Sequence, residues 1–225
     1  CNIPVCVGRL GQIPHFIGES SLTILVDYHG KNMLAAKICE DLVARGSKVV
    51  CVTSGGKLSE AASQTGSKIF KIPPGQPSRS ALGYMIIPII AAVAACNLAP
   101  GVMERLSSAI LLLKNAREEF RFSRPSTRNT AKQAAETLFG KKVYVLGAGP
   151  NLAAIANRWK SQINQNSKTP AGAGNLLDDI EGPISGLERC TRADEWGVVL
   201  LRSDQESNES KITVDATLEI LKTFA

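Results

Sequence analysis

The chain of 225 residues is 44% hydrophobic and 20% charged, with 19 Gly, 11 Pro and 5% aromatic residues. These fractions exclude a disordered chain, a collagen-like repeat and a coiled coil, and the length allows one large domain or two of about 100 residues each. The net charge of +6 suits a small anionic ligand but is too slight a bias for a nucleic-acid surface.

In chain order, the first 75 residues alternate between apolar runs and helix-period stretches. Residues 3–7 (IPVCV), 22–26 (LTILV), 48–52 (KVVCV) and 68–72 (KIFKI) are short and rich in Val and Ile. Such near-continuous runs predict strands buried on both faces, the habit of a parallel sheet. Between them, residues 32–45 and 58–65 carry Leu and Ala at helical spacing, and Gly46 stops the first of these. The alternation predicts a doubly wound α/β unit.

Residues 81–119 read as helical with a break at Pro100-Gly101. The uncharged run 82–102 has the length to span a bilayer, which takes about 20 apolar residues. Its Pro88, Asn97 and Pro100 favour instead a buried core or interface helix. Residues 117–129, polar and Pro-containing, predict a linker; the arginines beside Phe120 and Phe122 are a solvated run rather than a single-strand nucleic-acid site. A second unit follows, with a helix over 130–139, a strand over 142–146, a turn at 147–150 and a helix over 152–162. A Gly- and Pro-broken loop over 172–186, a strand over 197–201 and a helix over 211–224 complete it. Two units of similar order suggest an internal duplication.

The six cysteines form no CxxC pair and have no nearby His to complete a metal site, so Cys6, Cys39 and Cys51 read as small core residues. No secretory signal pattern opens the chain, which predicts reduced thiols and a cytoplasmic address. The first residue is Cys rather than Met, and the expectation is a fragment.

The turn after the third apolar run, VTSGGKL over 52–58, offers backbone N–H groups at a helix start, with Thr53, Ser54 and Lys57 as further donors for an anion. It is not a P-loop, because Leu58 stands where Ser or Thr is needed. Gly147-Ala148-Gly149 lacks the third glycine of a dinucleotide fingerprint, and NAD binding is rejected. His29 follows a strand at its C-terminal end with Asp27 two residues before it, a placement open to acid–base chemistry, whereas His15 reads as a surface or packing residue. No GxSxG elbow supports a Ser-His-Asp hydrolase.

The run IPPGQPSRSALGY over 72–84, together with VTSGGKL before it, resembles the sugar isomerase (SIS) domain of the bifunctional phosphoglucose/phosphomannose isomerase family. NRWKSQINQNSKTPA over 157–171 resembles that family's helix of the form RWKxQxNENxKxPA. The resemblance covers most of the chain. It implies flavodoxin-like parallel sheets flanked by helices in two tandem units: a first SIS domain over 1–116 lacking its opening strand, a linker over 117–129, and a second over 130–225 lacking its C-terminal part. It also implies a homodimer, no cofactor or metal, a sugar-phosphate ligand, and neither nucleic-acid nor membrane partners.

By the same resemblance the activity is aldose–ketose isomerisation of glucose or mannose 6-phosphate to fructose 6-phosphate, through an enediol formed by a carboxylate base. Arg79 matches the family's active-site arginine. Asp27, His29, Gly30, Lys31, Thr53, Ser54, Gly55 and Lys168 fall on substrate-binding positions. Three departures stand out. Asp27 opens a loop that in the family reads SYSGNTEE and holds phosphate. Pro183 falls where the catalytic glutamate belongs, leaving Asp178, Asp179 or Glu181 as substitutes, and Gln205 replaces the acid histidine. The resemblance therefore leaves two readings: an isomerase with its catalytic residues partly lost, or a non-catalytic phosphosugar-binding SIS module with a regulatory or assembly role.

Overall fold

The computed structural model describes residues 3–8, 11–178, 186 and 192–223. The chain divides into two compact units, Cys1–Asn115 and Ala116–Ala225.

In the first unit the order is β1 (Leu22–Val26), α1 (Met33–Ala44), β2 (Lys48–Thr53), α2 (Gly56–Gln64) and β3 (Lys68–Lys71). A 3₁₀ turn (Ser78–Ser80), α3 (Leu82–Ala95) and α4 (Val102–Glu119) follow, the last running into the second unit. The strands pair in parallel in the order β1-β2-β3, with Leu22 opposite Lys48 and Val50 opposite Lys68. α1 starts where the Asn32 side chain accepts the Leu34 N–H, satisfying one of the orphan donors of a helix start. Its inner face (Ala35, Ile38, Cys39, Leu42) packs with Leu58, Ala61 and Ala62 of α2 on Val49 and Cys51 of β2. Val52 joins Tyr28, Ile72 and Ala81 in a separate cluster, with Ile24, Phe70 and Met85 against it. The middle strand is thus buried on both faces, as its unbroken apolar run requires.

The second unit continues with a 3₁₀ turn (Ser126–Arg128), α5 (Thr130–Leu138), β4 (Lys142–Gly147), α6 (Pro150–Gln162), a π turn (Ile163–Ser167) and β5 (Ala171–Asn175). A further 3₁₀ turn (Ala193–Glu195) leads into β6 (Trp196–Leu201) and α7 (Asn208–Lys222). Its parallel sheet has the order β5-β4-β6. Val143 and Val145 pack with Ala156, Leu138 and Ile163, while Leu146 packs with Leu176, Val214 and Leu218. The alternation of Val and Leu along β4 therefore feeds two helical layers.

Several expectations are corrected. Residues 3–7 are not a strand: the segment is irregular and exposed, with Val5 72% and Val7 91% accessible, because no strand among the described residues pairs with its backbone. The expected loop over 172–186 begins inside β5, which sequence reasoning missed because AGAGN has no β-branched residue. Those glycines are needed for close approach: a Cβ on Gly172 would lie 2.5 Å from the Tyr144 ring. The linker expected from 117 is helical to Glu119, and α6 begins at Pro150, a residue suited to a first helical turn. α3 ends at Ala95, and among the described residues no helix is long and apolar enough to cross a membrane. Nor is α3 deeply buried in this chain. Only Pro88 and Ala92 are, while Leu82, Tyr84, Ile86 and Ile87 remain more than 40% exposed.

Candidate functional site

Because β1, β2 and β3 run in parallel, their carboxyl ends share one edge, where open α/β sheets bind ligands. Three segments meet there: the β1–α1 loop from Asp27, the β2–α2 turn at Thr53–Gly55, and the irregular stretch after β3 that leads to Arg79.

The first two are joined by the backbone. The Tyr28 carbonyl accepts the Ser54 N–H at 2.8 Å and the Ser54 hydroxyl at 2.7 Å, and the Gly30 carbonyl accepts the Leu58 N–H at 3.1 Å. Gly30, at φ +63, admits no side chain, since a Cβ there would fall 1.7 Å from the Gly55 carbonyl oxygen. Thr53 is fully buried; its hydroxyl donates to the Gly55 carbonyl at 2.9 Å and accepts the Gly55 N–H at 3.3 Å. The Thr53 and Ser54 hydroxyl protons, expected to face an anion, are thus spent on holding the turn. The Asp27 carboxylate accepts the Asn32 N–H at 3.1 Å, which puts a fixed negative charge beside the start of α1. His29 and Lys31 are exposed, and the His29 ring meets Tyr28 edge-on with centroids 4.8 Å apart.

Tyr28 ties in the third segment. Its ring is 3% exposed, and its hydroxyl donates to the Pro73 carbonyl at 2.9 Å while accepting the Gln76 N–H at 3.0 Å. β3 itself continues off the edge through Ile72, whose N–H donates to the Thr53 carbonyl. Arg79 sits on the exposed 3₁₀ turn that follows, so Asp27, His29, Gly30, Lys31, Thr53, Ser54 and Gly55 cluster on the edge from which the Arg79 segment departs. Sequence reasoning missed Tyr28 and Gln76. The signal was present in a buried-type aromatic inside an otherwise polar loop, whose hydroxyl must find a partner.

The carboxyl edge of the second sheet has its own furniture. Asn175 at the end of β5 accepts N–H groups from Gly149 at 3.0 Å and Leu177 at 3.3 Å, and donates to the Asp178 carboxylate at 2.6 Å. After β6, Arg202 donates through Nε and Nη2 to Glu206, at 3.2 and 2.9 Å to one carboxylate oxygen, and through Nη1 to Asp215 at 2.8 Å. These bonds hold the Glu206 carboxyl below the usual carboxylate range, with the Ser203 N–H adding to the effect, and raise the Arg202 guanidinium further. Gln205, exposed, rides on this short loop, its N–H donating to the Ser203 hydroxyl. Lys168 lies elsewhere: it precedes β5, at the amino edge of this sheet, and its ammonium donates to the Gln165 carbonyl at 2.7 Å. Asp179, Glu181 and Pro183 lie outside the described residues. Among the described residues no group of three or more His, Cys, Asp or Glu side chains is placed to hold a metal ion.

Parallel sheets flanked by helices, with loops clustered at their carboxyl edges, define an open-sheet α/β protein. Glucosamine-6-phosphate deaminase from Thermotoga maritima superposes on 92% of the chain, and 60% of its own length, with a TM-score of 0.65 at 14% identity, which bears on the fold alone. Residues 127–225 match the family profile of the bacterial phospho-glucose isomerase C-terminal SIS domain. The bifunctional phosphoglucose/phosphomannose isomerase of Caldicellulosiruptor bescii is 30% identical over 99% of the chain and 66% of its own length. That of Aquifex aeolicus is 28% identical over 99% of the chain and 65% of its own length. Over nearly its whole length the chain is thus similar to the bifunctional phosphoglucose/phosphomannose isomerase family. It spans just under two thirds of the length of these curated relatives.

Proposed function

We propose that the chain is the sugar-phosphate-handling part of an aldose–ketose isomerase acting on glucose or mannose 6-phosphate and fructose 6-phosphate. The observation that carries this reading is the assembly of the β1–α1 loop, the Thr53–Gly55 turn and the Arg79 segment at one carboxyl edge, tied together by Tyr28. In this reading the Arg79 guanidinium stabilises the negative charge of the enediolate, and Asp179 or Glu181 moves the proton between C1 and C2. Lys31, exposed beside Asp27, offers the positive charge a phosphate needs against that carboxylate. The protein acts as a cytoplasmic homodimer.

Catalysis by this chain alone is expected to be lost. Proline at 183 cannot accept a proton, and glutamine at 205 replaces a group that titrates near neutral pH. Losing one acid–base group costs about 10²- to 10⁴-fold in rate. NMR of the chain incubated with each of the three hexose 6-phosphates tests this: no interconversion with measurable binding is expected, and sustained turnover would refute the loss.

A second reading, a non-catalytic phosphosugar-binding SIS module with a regulatory or assembly role, is favoured by Gln205, which sits on a loop ordered by the Arg202–Glu206 pair yet carries no ionisable group. Titration calorimetry with fructose 6-phosphate, run beside the turnover assay, separates the two.

A further inference from the structure

Two thiols with no part in the proposed chemistry face each other inside the first unit. Cys39 on α1 and Cys51 on β2 are both fully buried, and their sulfurs are 3.7 Å apart. They are side chains of two packed layers rather than neighbours in a turn. The Cys39 sulfur is also 3.8 Å from the Ser67 hydroxyl and 3.9 Å from the Thr65 hydroxyl. The Thr65 hydroxyl donates to the Ala61 carbonyl at 2.9 Å, so the nearest polar partner of each sulfur is the other sulfur.

We propose that Cys39 and Cys51 form a redox-active dithiol that a small hydroperoxide converts to an intrachain disulfide linking α1 to β2. To bond, the two sulfurs must close from 3.7 Å to about 2.0 Å. The Cys39 thiolate attacks one peroxide oxygen, the O–O bond breaks, and the departing hydroxide takes up the proton released from Cys39. Cys39 is then a sulfenic acid. The Cys51 sulfur attacks the Cys39 sulfur, the S–O bond breaks, and the leaving hydroxide carries off the Cys51 proton as a second water. Two thiols and one hydrogen peroxide thus give one disulfide and two waters, the thiols losing two electrons to the peroxide. Either sulfur can donate to the other, and contacts from Cys51, Ser67 and Thr65 bring the Cys39 thiol down to about 6 against the opposing effect of burial. The same Cys39 contact, together with burial, pushes the Cys51 thiol up. Full burial makes a small uncharged oxidant the fitting reagent, whereas exposed Cys6 and Cys96 are open to larger disulfides.

The test uses the chain as it is. The native protein is treated with hydrogen peroxide, its remaining thiols are capped with iodoacetamide, and peptides are mapped by mass spectrometry without reduction. A linked pair of peptides containing Cys39 and Cys51, two hydrogens lighter than their sum and released by dithiothreitol, is expected. Thermal unfolding of the oxidised protein should then move up by about 5 °C, as a short closed loop restrains the unfolded chain. The linked peptide should be absent from Cys39→Ser. Capped thiols at both positions after peroxide, a sulfinic acid at Cys39 without linkage, linkage only once the protein is unfolded in urea, or a lowered unfolding temperature would each overturn the proposal.

Discussion

The hydroxyl of Tyr28 accepts the backbone N–H of Gln76 at 3.0 Å, joining two segments 48 residues apart in sequence. The same hydroxyl donates to the Pro73 carbonyl, so both of its hydrogen-bonding roles are used at a nearly buried position. One side chain therefore sets where the segment bearing Arg79 leaves the sheet.

Tyr28→Phe keeps the ring and deletes only this bridge. Leaving the Gln76 N–H and Pro73 carbonyl without their partner should destabilise the first unit by about 1–3 kcal/mol, read as a lower urea midpoint at unchanged slope. Fructose 6-phosphate affinity should fall by more than that loss of folded protein accounts for, measured well below the unfolding transition.

Arg79→Ala should leave the unfolding midpoint nearly unchanged, because Arg79 sits on an exposed turn. Titration calorimetry should show sugar-phosphate binding abolished. Unaltered affinity would remove Arg79 from the site.

Gly30→Ala is expected to be among the most damaging single changes at the edge. Its methyl would fall 1.7 Å from the Gly55 carbonyl oxygen, on a backbone at φ +63 that favours glycine. A loss beyond about 3 kcal/mol is expected, because two backbone segments must separate to admit it. Circular dichroism during thermal unfolding measures it, with Gly140→Ala, where no atom lies within 4 Å, as the milder comparison.

The Glu206 carboxyl has a folded value below the 4.5 of a free glutamate, held there by Arg202. A group depressed on folding stabilises the protein above its unfolded value and loses that contribution as pH falls through the folded one. Glu206→Gln should therefore lower stability at pH 7, with the gap to the parent closing as pH drops below 4.5. Denaturant midpoints taken between neutral and acid pH give the comparison. A gap that stays constant with pH would mean that the Arg202 pair contributes nothing.

The family was legible in short runs, because VTSGGKL and PPGQPSRSALGY keep their order and spacing regardless of how the chain packs. The α/β alternation was legible where a strand is buried on both faces, since the middle of β2, VVCV, must be apolar. It failed in two opposite ways. IPVCV has the composition of a strand yet is exposed and irregular, because a strand is defined by a neighbour and composition supplies none. AGAGN has the composition of a loop yet pairs with β4 from Val143 to Gly147, because the Tyr144 ring occupies the space its side chains would fill.

What the sequence by itself determined, then, is the residue set at the first carboxyl edge: an acid, a histidine, glycines and hydroxyls on two loops that each follow a strand. Tertiary structure decided what those groups do. The Thr53 and Ser54 hydroxyls, readable as anion donors, donate instead to the carbonyls of Gly55 and Tyr28, because partly buried backbone oxygens need hydrogen-bond partners. Lys168, grouped with the binding residues by motif, lies at the amino edge of the second sheet, because it precedes β5 instead of following it. The Tyr28 link to Gln76 and the approach of Cys39 to Cys51 belong wholly to the folded chain, since each contact exists only once separate elements have packed.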